Sequence, residues 1–194
     1  MTRFFDIIFS LLGLIILIPF FVIIALSIAC TSHGGVFYMQ KRVGQYNKDF
    51  TLFKFRTMCV GADAKGLLTV GRKDKRVTNI GYFLRKYKLD ELPQLWNVLV
   101  GDMSLVGPRP EVRKYVDLYD DVQKHVLDIR PGITDYASIE YKNENRMLEQ
   151  SHDPEKQYIE EIMPKKLQLN LRYIENQSLK EYFRILFLTM RSIF

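Results

Sequence analysis

The sequence predicts an α+β fold, mostly helical, behind an N-terminal membrane-inserted helix. Three observations predict it. The run IIFSLLGLIILIPFFVIIALSIAC, residues 7–30, carries no charged side chain. Two adjacent runs, 36–44 and 50–57, are rich in β-branched and aromatic residues, as strands are. From residue 79 onward, helix caps and helical apolar spacing recur. The 194 residues suit one compact domain with one appended element. The expected organisation is a membrane-inserted segment over 1–33 and a folded domain over 34–194, with 178–194 as an interfacial helix.

The apolar run is long enough to span the ~30 Å hydrocarbon layer. Core helices of this length normally keep a polar face. The run exceeds the ~7–15 residue core of a secretory signal, and no A-x-A site follows it. Pro19 removes a backbone donor near the middle and predicts a kink. Each half then has about a dozen residues, roughly 18 Å of helix. Basic residues flank both sides, Arg3 before and Lys41, Arg42, Lys48, Lys54 and Arg56 after, so both flanks read as cytoplasmic. Two topologies fit: a bent helix that crosses, or a segment that enters and returns on one face.

VFYMQKRVG (36–44) and FTLFKFRT (50–57) flank Gln45-Tyr46-Asn47-Lys48 and read as a β-hairpin. Alternation in the second strand puts Leu52, Lys54 and Arg56 on one face and Phe53 and Phe55 on the other. Residues 60–79 are Gly-rich and charged, a loop with room for a short helix. GYFLRKYK follows as a helix capped by Asn79. Asp90 opens another, with Pro93 in its first turn and Leu95, Trp96 and Leu99 as its apolar face. An amphipathic helix is expected over 111–128, a turn at RPGITD (130–135), and an unpatterned stretch to Ser151. Asp153-Pro154-Glu155 starts a helix that is interrupted near Pro164. Ser178 and Glu181 form a capping box for the last helix. That helix is apolar except for Lys180, Arg184 and Arg191, which suits a membrane interface or packing on the core equally well.

Lys and Arg number 28 against 22 Asp and Glu, a formal charge of +6. Arg3 and Asp6 cancel, so the excess lies in 31–194. It favours an anionic partner: nucleic acid, an anionic membrane surface or a phosphorylated substrate. No nucleic-acid-binding motif is present. Cys30 and Cys59 form no CxxC pair, and His33, His125 and His152 are scattered, which argues against zinc and disulfides and fits a reducing compartment. Asp90-Glu91 in isolation caps a helix and meets its dipole, which favours the ionised forms. Adjacent carboxylates on a basic chain also make a hard-oxygen site suited to Mg²⁺. Pro108 and Pro110 restrict Arg109, and a guanidinium with little backbone freedom is a good bidentate phosphate ligand. Arg130-Pro131-Gly132 repeats the device. Together these features point to phosphate chemistry at a bilayer surface.

KFRTM (54–58), LDELPQLWNVLVGDMSLVGPRP (89–110) and RPGIT (130–134) resemble the signature of the bacterial monotopic phosphoglycosyl transferases. The resemblance runs from the apolar segment to about residue 140. It implies transfer of a sugar phosphate from a nucleoside diphosphate sugar, commonly a UDP-sugar, to polyprenyl (undecaprenyl) phosphate, with release of UMP and a need for Mg²⁺. It further implies Asp90 as nucleophile, Glu91 as its dyad partner, both near the metal, and a re-entrant helix broken at Pro19 with both ends cytoplasmic. The expected location is the cytoplasmic face of the bacterial inner membrane. Arg109 with its flanking Pro108 and Pro110, then Arg130, Arg85 and the Lys54/Arg56 face, are the candidates to hold phosphates. Expected partners are the donor, the acceptor and membrane lipids, with no nucleic acid; a homodimer is left open. Three positions depart from the family pattern: Ile18 before the proline, Lys88 where Ser or Thr is common, and Asp135 where Gly is common. The rival readings are a non-catalytic, membrane-tethered binder of anions and a hexose transferase that leaves UDP.

Overall fold

The computed structural model describes residues 2–62, 66, 68, 70, 71 and 74–193. Several positions of the loop expected over 60–79 lie outside them, and with them the short helix allowed there. Among the described residues the fold is mostly helical with two small sheets. Helix α1 (Thr2–Thr31) leads into the antiparallel hairpin β1 (Phe37–Val43) and β2 (Asp49–Phe55). Helices α2 (Asn79–Lys86) and α3 (Gln94–Val100), strand β3 (Ser104–Val106), α4 (Arg113–Val116) and strand β4 (Gly132–Thr134) follow. The chain ends in α5 (Tyr136–Glu140), α6 (Glu144–Glu149), α7 (Pro154–Gln157), α8 (Met163–Glu175) and α9 (Leu179–Ile193).

Helix α1 runs through Pro19 without interruption, so the proline removes one backbone bond and does not end the helix. Both ends of α1 are held by the folded domain. Near its start, Arg3 donates to the carbonyls of Val98 (2.5 Å) and Leu99 (2.8 Å) at the end of α3. Asp6 is only 2% exposed and accepts from Ser104 Oγ at 3.1 Å, Leu105 N at 3.0 Å and Tyr182 Oη at 2.8 Å. Towards its other end, Ile24 and Ile28 are buried against Phe55 and Leu84. Between the two anchors the helix presents Ile15, Ile16, Ile18 and Phe20 outward, Ile16 being 67% exposed. The apolar helix is thus held by polar bonds near its start and by apolar packing towards its other end, with an exposed apolar middle.

The hairpin pairs Phe37 with Phe55 and Val43 with Asp49, and Tyr46 and Asn47 make its turn with positive φ. The expected turn at RPGITD is instead strand β4, which pairs in parallel with β3, Ser104 opposite Gly132 and Val106 opposite Thr134. Two glycines permit it. A Cβ on Gly132 would stand 2.1 Å from Gly107 N, so the strands meet at a distance no side chain tolerates.

Other expectations need correction. The cap of α2 is Thr78, whose hydroxyl accepts from Gly81 N, one residue before the expected Asn79. The single helix expected over 111–128 is α4 followed by a separate 3₁₀ segment, Gln123–Asp128, because Asp120 accepts from Gln123 N and starts a new turn. The stretch before Ser151 holds α5 and α6. Asp153 caps α7 as expected, and the interruption near Pro164 is a π-turn, Tyr158–Ile162, that leads into α8. Ser178 accepts from Glu181 N, but Glu181 turns its carboxylate to Tyr136 and Arg184, leaving half a capping box. Helix α9 packs on the core through Tyr182 and Ile185 and also leaves Phe187 and Met190 exposed, beside Phe183, which meets Phe5 and Phe9 of α1 edge-on.

Candidate active site

The dyad lies in a 3₁₀ turn, Leu89–Glu91, between α2 and α3, not in the first turn of α3. Lys88 enters it with a left-handed backbone, φ 57°. Leu89 and Leu92 anchor the turn by packing on the cluster of Ile24, Ile28, Phe55 and Leu84. Asp90 and the C-terminal half of α1 therefore share one core.

Asp90 is 7% exposed. Burial pushes its carboxyl above the usual range and Glu91 adds to this, while the charges of Lys54, Arg85 and Lys88 pull it partly back. A place in the first turn of a helix would favour ionisation; in this 3₁₀ turn desolvation dominates. Glu91 behaves in the opposite way. Burial alone would raise it, but Arg109, then Lys54 and Lys88, hold it well below the carboxylate range. Lys54 Nζ donates to Glu91 Oε1 at 3.0 Å. Arg109 grips both oxygens, Nη1 to Oε2 at 3.3 Å and Nη2 to Oε1. Glu91 in turn strengthens the hold of Arg109 on its proton, though burial works against it. Lys54 is shifted down by burial, with Glu91 opposing.

The loop carrying Arg109 is fastened from several sides. Gly107 N donates to Thr134 O at 3.0 Å, and Gly132 N donates to Pro108 O at 2.9 Å. Arg42 donates to Pro110 O at 3.1 Å and reaches Glu111 at 3.4 Å. Asp135 Oδ2 accepts from Arg109 N at 3.2 Å. The carbonyls of Pro108 and Pro110 are thus used within the fold. Sequence reasoning missed Arg42 as a loop clamp, and nothing in a strand's alternation marks a residue that bonds a carbonyl 68 positions away. Asp135 was visible only as a departure from a family pattern.

The structure brings together Asp90, Glu91, Lys54 and Arg109, with Arg85 close enough for its charge to act on Asp90. It places two other candidates elsewhere. Arg56 is buried and donates to Ser32 O at 3.0 Å and Ser32 Oγ at 2.9 Å, fastening the end of α1 to the hairpin. Arg130 is exposed and donates to Gly101 O at 2.9 Å, at the end of α3 remote from the dyad. Strand β2 ends at Phe55, so Arg56 no longer follows the alternation that would set it beside Lys54.

Among the described residues no three His, Cys, Asp or Glu side chains converge into a metal cage. Mg²⁺ seldom needs one, since it is held by one or two carboxylates with phosphate oxygens and water. The hard oxygens of Asp90 and Glu91 fit that mode. Asp90 is the better placed, because two cations already occupy Glu91.

The sequence pattern of the family described as bacterial sugar transferase matches residues 1–194. The chain is 37% identical, over 95% of its length and 38% of the relative's, to the UDP-glucose:undecaprenyl-phosphate glucose-1-phosphate transferase of Klebsiella pneumoniae. It is 40% identical, over 69% of its length and 32% of the relative's, to the UDP-N-acetylgalactosamine-undecaprenyl-phosphate N-acetylgalactosaminephosphotransferase of Aeromonas hydrophila. With the exopolysaccharide production protein ExoY of Sinorhizobium fredii it shares 38% identity over 73% of its own length and 70% of that protein. The chain spans about a third of the length of the first two. An acid pair that shares a core with an apolar helix thus meets a match along the whole sequence, and the chain belongs to the bacterial sugar transferase family.

Proposed function

We propose that the chain is a phosphoglycosyl transferase that moves a sugar 1-phosphate from a UDP-sugar to undecaprenyl phosphate and releases UMP. One observation carries the reading. Asp90 is a buried carboxylate beside the charges of Lys54, Arg85 and Lys88, and its neighbour Glu91 is already neutralised by Lys54 and Arg109. A site with one carboxylate available and several cations around it suits nucleophilic attack on a phosphate. A plain anion binder has no use for an acid held there at a desolvation cost.

Asp90 attacks the β-phosphorus of the donor. The bond from that phosphorus to the bridging oxygen breaks, and UMP leaves with the electron pair. The aspartyl phosphosugar keeps the reactivity of the anhydride it replaced, so a phosphate oxygen of the acceptor displaces Asp90 and restores the carboxylate. Arg109 and Lys54 offset the charge of the diphosphate, exchanging part of their contact with Glu91 for phosphate oxygens. Bound Mg²⁺, held by Asp90 with Glu91 nearby, would supply charge neutralisation at the transferring and leaving oxygens.

The support for the membrane placement is α1. A 30-residue helix is about 45 Å long. Its Arg3–Asp6 end and its Ile24–Ser32 end both hold to one folded domain. This supports a seat in one leaflet with both ends on the cytoplasmic side, the apolar middle facing lipid. Two helices that touch α1 also carry exposed apolar side chains, Phe187 and Met190 on α9 and Trp96 on α3. In that seat Asp90 lies near headgroup depth, where a polyprenyl phosphate presents its phosphate. Incubating the protein in membranes with a panel of UDP-sugars, undecaprenyl phosphate and Mg²⁺ tests the reading: UMP forms, whereas UDP as the product would favour hexose transfer and no nucleotide a binding role.

A further inference from the structure

We propose that Asp135 is a positioning residue for Arg109, fixing the backbone from which the arginine reaches Glu91. The inference rests on the functional reading above and names a residue that reading does not use.

Asp135 is 0% exposed. Its two oxygens serve two different segments. Oδ1 accepts from Ser138 N at 2.6 Å, capping α5, and Oδ2 accepts from Arg109 N at 3.2 Å. Proline has no amide hydrogen, so across Pro108-Arg109-Pro110 the Arg109 amide is the single backbone donor. Asp135 takes it. The same strand end holds the arginine again further out, since Arg109 Nη1 also meets Ile133 O at 3.5 Å. Thr134, the residue before Asp135, accepts from Gly107 N. Residues 133–135 thus hold the 107–109 loop at the Gly107 amide, at the Arg109 amide and at the guanidinium.

Capping alone does not account for the arrangement. A five-residue helix is capped well by an exposed Asp or Ser, and such caps ordinarily lie at the surface. Burying a full carboxylate is costly unless cations and amides compensate it. Here the compensation comes from the amides of Ser138 and Arg109, with the positive charge of the Arg109 side chain nearby. The charges of Glu91 and Asp135 both act on Arg109, so the arginine stands between two acids. One acid sets where its backbone lies, and the other receives its side chain.

Substitution separates the two duties of Asp135. In Asp135→Ser the hydroxyl still caps α5, but one short side chain cannot also hold the Arg109 amide. In Asp135→Asn the shape and the cap oxygen persist, but an amide NH₂ or a neutral oxygen faces Arg109 N. The assay uses full-length protein in membranes, with saturating undecaprenyl phosphate, Mg²⁺ and varied UDP-sugar, and thermal unfolding in parallel. The expected result is a KM for the donor raised about tenfold or more in both variants, with kcat within about threefold and the unfolding midpoint little changed. A wild-type KM in Asp135→Ser makes Asp135 a cap only and overturns the proposal. So does a loss confined to kcat. If Asp135→Ser fails to fold, Asp135→Asn decides by the same readings, and if neither folds Asp135 serves folding and the proposal falls. Absence of UMP from the wild-type protein overturns the functional reading, and this inference with it.

Discussion

Asp135 positions one arginine; Asp6 positions the whole membrane helix. Replacing Asp6 by Ala removes a buried acceptor and leaves Ser104 Oγ, Leu105 N and Tyr182 Oη with no partner there. A hydrogen bond to a charged group contributes about 1.5–3 kcal/mol. Three of them overstate the loss, because the desolvation cost of Asp6 vanishes with its charge. Removing one partner of a buried charged site typically costs about 3–5 kcal/mol, and that is the magnitude expected. At about 2–4 °C per kcal/mol for a chain of this size, the unfolding midpoint falls by roughly 6–20 °C. Thermal unfolding in detergent or nanodiscs reads it directly. Asp6→Asn keeps one acceptor and loses less. Ser27→Ala, which removes an exposed hydroxyl bonded within α1, serves as the control and changes little. A drop below about 2 °C for Asp6→Ala would mean that the start of α1 does not dock on the domain, and the case for two anchors on one body would fail.

Three further predictions follow from the same geometry. In Asp90→Asn, UMP formation is lost, yet without Mg²⁺ the variant unfolds at a higher temperature than wild type at neutral pH. The sign comes from linkage: a carboxyl raised by burial binds its proton more tightly when folded, so wild-type stability declines as pH rises from the unfolded pKa through the folded one. The gap between the two proteins therefore widens with pH over that window, and a constant gap would contradict it. Arg130→Ala changes the donor KM by less than about twofold and costs about 1 kcal/mol through the Gly101 bond; a large KM effect would return Arg130 to the phosphate site. Gly132→Ala puts a Cβ into the backbone of Gly107 and prevents β3–β4 pairing, so the yield of folded protein in detergent collapses; a well-folded variant would refute the close approach.

Local signals made much of this fold legible. Seven-residue strands of alternating apolar and polar residues, a Gly-free apolar run after Gly13, and an Asp-Pro-Glu start all announce themselves within a few positions. The parallel pair β3–β4 was hidden, because three-residue strands carry no periodicity and their signal is a glycine on each side of a contact 25 positions apart. The dyad was conspicuous as residues, but its electrostatics were not. Whether Asp90 is raised and Glu91 lowered depends on which of them Arg109 and Lys54 reach, and that is set by packing. The arginines show the same limit. Arg56, Arg109 and Arg130 look alike in sequence as cations beside prolines or phenylalanines. Only the fold assigns one to the end of α1, one to Glu91 and one to the end of α3.

The most direct test concerns the carboxylate itself. Full-length protein in membranes is mixed with UDP-sugar and Mg²⁺ without acceptor, quenched in acid and examined by intact mass and peptide mapping. The account predicts a sugar phosphate adduct on the peptide containing Asp90, absent from Asp90→Asn and discharged when undecaprenyl phosphate is added. An unmodified protein that nevertheless turns over when both substrates are present would contradict it.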